Sequence, residues 1–329
     1  MKKHIAAALG LILLAATGAQ AQNRTAINVN LFAGASAVPI YIAQDKDFFA
    51  REGLTVNAMA TPNSGFQMSG LVSGQFDIAS TALDNLIAYM EGQGTAKLSR
   101  EPDLVTIMGG SSTELSLIAQ PSIKSIADLK GKEFALDSLA TGFAFVLRHM
   151  LEKNGIGVSD IKMFPAGSSR ERTIALREGK AAAALISEPF TSQMRAAGFT
   201  DLGDAVQSVG PYQASVQIAN QPWAKANPQA VSAYIRALIA AVDWIYNPAN
   251  HEEAARILAG RVRISLDAAK PSIAGLVKGH AALARKAELD LEGVKNVIAL
   301  REKYGSPQKK MGPIGKYVDL VYYEAAIKR

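Results

Sequence analysis

The side chains able to do chemistry in this 329-residue chain are mostly small and polar, and they recur just after short apolar runs. Ser36 follows the run 25–32. Asn63 and Ser64 follow 54–59, and Ser80 and Thr81 follow 76–79, with Asp84 and Asn85 close behind. Ser138, Thr141 and Gly142 follow 133–136, Ser169 and Arg170 follow 161–164, and Glu188 follows 182–186. Hydroxyls, amides and a guanidinium in this pattern hold a ligand through hydrogen bonds. Arg170 offers the planar fork that suits a carboxylate, sulfonate or phosphate. Asp84, read as a carboxylate facing the ligand, would disfavour a bare sulfonate or nitrate and favour an N–H or cationic group. Together they predict a small solute with both polar donors and an anionic or acceptor group. Each also has a plainer role. Ser, Thr and Asn cap helices, acids favour the first helical turn, and Arg170 suits a solvated helix face. Phe32, Phe66, Phe143 and Tyr212 are candidates to line the pocket, although aromatic residues serve equally as core.

Catalysis finds little support. The four histidines are His4, His149, His251 and His280, and their separations match no metal-ligand spacing. His149 and Glu152 are placed to share a helix face as a surface pair. Cysteine is absent, which removes thiol nucleophiles and disulfides. No Gly-x-Ser-x-Gly elbow, phosphate-binding loop or Gly-x-Gly-x-x-Gly motif occurs. The reading is therefore no enzyme, no cofactor and no metal. A net charge of +6, part of it in Lys2 and Lys3, is too mild to argue for nucleic acid, and Lys309-Lys310 reads as a solvated face.

The elements that must position these residues follow from hydrophobic patterning. Lys2 and Lys3, an apolar run over 5–16 and Ala19-Gln20-Ala21 form a secretory signal peptide over 1–21, with cleavage after Ala21. That run is too short to span a bilayer, which takes roughly 20 residues. Strands are predicted over 25–32, 54–59, 76–79, 104–108, 115–119, 133–136, 161–164, 182–186 and 215–219. Helices are predicted between them, ended by Gly53, Gly131, Gly155 and Gly179. From Pro228 the chain reads as helical to its end, broken at Asn247-Pro248, Gly260, Gly279, Gly305-Ser306-Pro307 and Gly312-Pro313. This alternation predicts an α/β fold with mainly parallel sheets. The segment from Asn63-Ser64-Gly65 through Leu71, Gly74 and Asp77-Ile78-Ala79 is echoed by Ser168-Ser169 through Leu176, Gly179 and 182–184, which suggests two similar lobes. Ligands bind outside the carboxyl ends of strands in open α/β sheets, where these polar residues fall.

The chain resembles the periplasmic solute-binding proteins of the nitrate/sulfonate/taurine type that serve ABC importers, within the superfamily that also binds the pyrimidine precursor of thiamine. The resemblance rests on Pro39-Ile-Tyr-Ile-Ala-Gln with Phe49, Glu52-Gly53-Leu54; on Leu71, Gly74 and Asp77-Ile78-Ala79; on Ser125-Ile-Ala-Asp-Leu-Lys-Gly131-Lys; and on Ala175-Leu176, Gly179 and Glu188-Pro189. Ala182 departs from the pattern, which has Asp after the Gly. The resemblance implies two α/β domains joined by two crossing strands, with the ligand in the cleft. Mapped here, lobe one is 25–112 plus 216–329, lobe two is 113–215, and the crossings lie near 111–116 and 212–216. It further implies a monomer that captures a small organic solute by cleft closure and delivers it to an inner-membrane permease. An enzyme on the same fold acting on a thiamine-pyrimidine-type precursor, and the sensor lobe of a signalling system, are the alternatives.

Overall fold

A computed structural model describes residues 24–112, 115–279 and 281–328. The signal peptide expected over 1–21, and part of the first expected crossing, lie outside the described residues. Ten strands form: β1 (Thr25–Leu31), β2 (Leu54–Ala60), β3 (Ile78–Ala82), β4 (Leu104–Met108), β5 (Ser116–Ala119), β6 (Glu133–Leu136), β7 (Lys162–Pro165), β8 (Ala183–Ile186), β9 (Thr200–Asp204) and β10 (Ser215–Asn220). They make two five-stranded sheets, ordered β2-β1-β3-β10-β4 and β7-β6-β8-β5-β9. Each sheet is the base of one lobe.

The two sheets share one plan. β1 runs parallel to β2 and β3, as β6 does to β7 and β8. One strand in each sheet is reversed. β10 is antiparallel to β3 and β4, and β5 is antiparallel to β8 and β9. These are the strands on which the chain arrives from the other sheet. A reversed strand starts where its parallel neighbours end, so Ser215 pairs with Ala82 and Ser116 pairs with Ile186. Both crossings therefore run past the C-terminal strand ends, where the small polar residues gather. The sequence echo is the repeated strand–helix–strand unit. Asn63 caps the Ser64–Ser73 helix and Gly74 closes it at φ 85°; Ser168 and Gly179 flank the Ser169–Arg177 helix in the second sheet.

The central strand of each sheet, β3 or β8, is buried over nearly its whole length, as helices on both faces require. One core packs the outer face of the first sheet against the Val38–Asp45 and Pro228–Tyr246 helices, through Ile27, Val29, Ile42, Ile235 and Leu238. A second core joins the lobes. Leu83 and Leu86 meet Leu117, Phe134 and Phe145, with Val297 and Leu300 of the Leu291–Tyr304 helix laid across both. Each such side chain contributes about 1.5–3 kcal/mol when fully buried.

Several element boundaries differ from the sequence expectation. β3 starts later than 76–79 and carries Ser80 and Thr81 within it rather than after it. Both hydroxyl residues are held in the ladder by pairing to β10. β9 lies outside the predicted strands, because Thr200–Asp204 has one apolar side chain and Gly203 in a left-handed conformation at φ 106°. Gly260 does not break its helix, which runs His251–Val262 and stops at Arg263 with φ 58°.

Lys309 is no free surface charge. Its Nζ lies 2.7 Å from Glu91 Oε2, while Lys316 Nζ and Tyr317 Oη donate to Glu91 Oε1 at 2.5 and 2.7 Å. This fastens the 305–320 segment to the Leu83–Met90 helix. Burial works to raise the Glu91 carboxyl, but the bonds from Lys309, Lys316 and Tyr317 outweigh it and hold it at about 2, against 4.5 ordinarily. A depressed carboxyl adds stability above its unfolded value and loses it as pH falls toward the folded one. Comparing unfolding midpoints between pH 5 and pH 2 should show wild type losing more than Glu91→Gln. Parallel pH slopes would contradict this.

Candidate functional site

A cavity opens between the C-terminal strand ends of the two sheets. The first sheet supplies Phe32, Ala33, Gly34 and Ser36 from the turn after β1, Ser80, Thr81 and Ala82 from β3, and Asn85 from the helix that follows. The second supplies Asp137 after β6, Thr141, Gly142 and Phe143 at the start of the Gly142–Lys153 helix, Ser168, Ser169 and Arg172 at the start of the next helix, and Ser187 after β8. Ala214 and Ser215, where the chain re-enters the first sheet, complete the wall.

The polar wall is pre-set by buried side chains behind it. Tyr234 Oη donates to Gln217 Oε1 at 3.0 Å, and Gln217 Nε2 donates to Ser80 Oγ at 3.0 Å. Asn85 Nδ2 donates to Thr81 Oγ1 at 2.8 Å. On the opposite side Ser169 Oγ meets Ser187 Oγ at 3.0 Å and accepts from Arg172 Nη2 at 3.1 Å. Anchored hydroxyls lose little freedom when a ligand arrives.

Arg172 dominates the electrostatics. The residue is 3% exposed, and its Nη1 has no hydrogen-bond partner among the described residues. Burial pulls its pKa down, opposed by the charges of Asp137 and Glu171. Arginine stays protonated in proteins, so the wall of the cavity holds a buried cation, one of whose donors is unmatched. Such a donor costs free energy unless something accepts from it. Among the described residues of the wall Asp137 is the one carboxylate, and its Oδ1 accepts from Ser64 N at 3.3 Å.

Of the residues singled out in the sequence, Ser36, Ser80, Thr81, Asn85, Thr141, Gly142 and Ser169 line this cavity, together with Phe32 and Phe143. The others lie elsewhere. Asn63 caps a helix by accepting from Phe66 N, and Phe66 itself packs on Phe76 at the surface. Ser64 is buried with its N–H on Asp137. Ser138 Oγ lies 3.3 Å from Thr95 Oγ. Glu188 lines a neighbouring chamber. Tyr212 sits behind the wall, 1% exposed, its ring tilted against Phe143 and its phenol pushed well up by burial and by Asp84.

Two charged residues need correction. Asp84 does not present a carboxylate to the cleft. It is 1% exposed and takes a two-pronged ion pair from Arg301, Nε to Oδ1 and Nη2 to Oδ2, each 2.6 Å. Gly142 N donates to the same carboxylate at 2.5 Å. Gly142 must be glycine here, because a Cβ would fall 2.5 Å from Asp84 Cγ and 2.7 Å from Tyr212 Oη. Arg170 also points away, donating to Val262 O at 2.5 Å and lying over the Phe190 ring. Arg172 takes the place assigned to Arg170. Helical spacing carried the signal: residues three apart share a face, so Ser169 and Arg172 point together while the adjacent Arg170 does not.

Among the described residues no group of three or more His, Cys, Asp or Glu could hold a metal ion, and no helix is long and apolar enough to cross a membrane. A sequence profile of the NMT1-like family matches residues 20–259. The chain belongs to the NMT1-like family. This NMT1-like protein is 26% identical over 216 residues to YtlA of Bacillus subtilis (strain 168), whose name provisionally calls it a binding protein; the match covers 64% of this chain and 62% of YtlA. Its fold is that of periplasmic binding proteins. The alkanesulfonate-binding protein SsuA from Xanthomonas axonopodis pv. citri, solved bound to MOPS, superposes with a TM-score of 0.70 at 16% identity, over 88% of this chain and 96% of that one. The ligand-binding component of an ABC-type import system from Staphylococcus aureus, solved with zinc bound, gives a TM-score of 0.75 at 12% identity, over 92% and 99%.

Proposed function

We propose that this NMT1-like protein is the periplasmic solute-binding component of an ABC importer, and that its solute is a small organic anion seated on Arg172. The observation that carries the reading is the buried guanidinium of Arg172, with an unmatched donor, in the wall of a cavity between two lobes. A carboxylate or sulfonate in the cavity would balance the charge of that guanidinium. Phe32, Phe143, Ala33 and Ala82 give the cavity apolar wall for an organic body. The sulfonate ligand of the SsuA neighbour has the same chemistry.

We take lobe one as 25–112 plus 216–329 and lobe two as 113–215. Direct bonds across this division support a closed arrangement: Ser168 N donates to Pro62 O at 2.9 Å, and Ala35 N to Glu188 O at 3.1 Å. A ligand buried between lobes stabilises the closed form, which is the form a permease would recognise. The protein acts as a monomer in this scheme.

A thermal-shift screen with alkanesulfonates, carboxylates, nitrate, pyrimidines and amino acids tests the proposal. A ligand at 100 times its Kd adds about 2.7 kcal/mol to native-state stability. Organic sulfonates or carboxylates are expected to raise the midpoint. A screen in which only neutral or cationic compounds do so would overturn the anion assignment. Turnover of any bound compound would overturn the transport reading.

A further inference from the structure

The loop and first helical turn that carry Ser168, Ser169 and Arg172 to the cavity also reach the opposite lobe. Ser168 N donates to Pro62 O at 2.9 Å, and a Cβ on Gly167 would stand 2.8 Å from the same oxygen. Arg170, half-buried, crosses this seam with its side chain. Its Nη2 donates to Val262 O at 2.5 Å, which is its one hydrogen bond among the described residues. Val262 ends the His251–Val262 helix of lobe one. A helix leaves its last four carbonyls without intrahelical partners, and the partial negative charge there attracts a cation. Arg263 N and Ile264 N both fold back to Ala259 O, so neither serves Val262. Arg170 supplies, from lobe two, a donor that the end of a lobe-one helix lacks.

The guanidinium is aimed by its own lobe, lying 5.7 Å from the centre of the Phe190 ring on the next helix. The neighbouring cation of lobe one, Arg261, is paired with Asp45 and lies over the Tyr41 ring. The charges of both arginines act on the Tyr41 phenol, which places Arg170 against the Val38–Asp45 helix of lobe one as well. One helical turn thus presents Ser169 and Arg172 to the solute cavity and Arg170 to the facing lobe. We infer that Arg170 is a positioning residue for solute binding, a clasp of lobe two that closes on the carbonyl end of the His251–Val262 helix and sets how much of the protein is closed. The inference rests on the two-lobe closure reading and not on the charge of the solute. Opening the cleft would return Val262 O and the guanidinium to water. Apparent affinity scales with the fraction of protein in the binding-competent form. Arg170 is not part of the cavity wall, so its loss weakens every solute by one common factor.

The test measures closure and affinity separately. The chain has no cysteine, so Thr55→Cys on β2 and Lys162→Cys on β7 place one spin label on an edge strand of each sheet, at exposed side chains. Pulsed electron paramagnetic resonance gives the distance between labels without ligand and with saturating ethanesulfonate, hexanesulfonate or benzoate. Calorimetry on the unlabelled protein gives the affinities for the same probes. Arg170→Met keeps a stem against Phe190 and removes the donors. It is expected to shift the distance distribution toward the open form, and to weaken every probe that binds wild type by the same factor, roughly five- to twentyfold. Arg170→Lys keeps the charge without the fork and is expected to fall between the two. If Arg170→Met leaves the distances unchanged both with and without probe, the clasp is overturned. A loss confined to one probe also overturns it, since Arg170 would then be a solute contact. If no probe binds wild type, the anion reading has failed, and the ligand-free distances alone decide on the clasp.

Discussion

Arg301→Met is expected to destabilise the protein by about 3–5 kcal/mol, read as a shift in the midpoint of chemical denaturation. The side chain is 0% exposed, and all of its nitrogens are used. Nε and Nη2 grip Asp84, Nη1 donates to Gln93 Oε1 at 3.0 Å, and Nη2 also reaches Ala140 O at 2.7 Å. Its guanidinium lies 4.7 Å from the centre of the Phe145 ring. Methionine keeps much of the volume and removes the charge, leaving Asp84 as an uncompensated carboxylate in the core. Adding Asp84→Asn removes that charge, and the new amide can still accept from Gly142 N. The double variant is therefore expected to recover most of the loss. A single variant that costs under about 1 kcal/mol would place the pair with surface ion pairs instead. A double variant as unstable as the single one would show that packing, not charge, sets the cost.

The same pair shows where sequence reasoning reached its limit. Asp84 follows a strand and starts a helix, and both are local facts that patterning can reach. Its charge partner lies 217 residues away, on a helix that patterning identifies as helix and no more. Whether a carboxylate faces a ligand or a buried arginine is decided by that long-range contact. By contrast, the repeated strand–helix–strand unit is encoded locally, by apolar runs, cap residues and Gly74 and Gly179. Such a unit, repeated once, is enough to predict two similar α/β lobes. The strand Thr200–Asp204 escaped because an edge strand needs only one good neighbour, and β5 supplies it without demanding alternation in β9. Ser36, Ser80, Thr141 and Ser169 could be placed because strand ends in α/β folds converge on one region. Tyr212 and Ser64 sit in that region too, but one shell behind the wall, a difference in depth that sequence spacing does not record.

Arg172→Met should separate function from stability in the opposite sense to Arg301. For an anionic solute that raises the thermal midpoint of wild type, affinity is expected to fall by about 2–5 kcal/mol, on the order of thirtyfold or more. Without ligand the variant should be as stable as wild type or more so. The residues that Arg172 touches keep other partners: Ser169 Oγ still meets Ser187 Oγ and accepts from Ser187 N at 3.3 Å. Meanwhile the unmatched Nη1 and its desolvation cost are gone. A residue kept for the fold would show the reverse, with lower stability and little change in affinity. Arg172→Lys sharpens the test, because it keeps the charge and loses the fork. An intermediate affinity would assign the interaction to charge and geometry together. If Arg172→Met loses stability by several kcal/mol and binds the same anion as tightly as wild type, the guanidinium is a structural strut and the solute must be held elsewhere in the cleft.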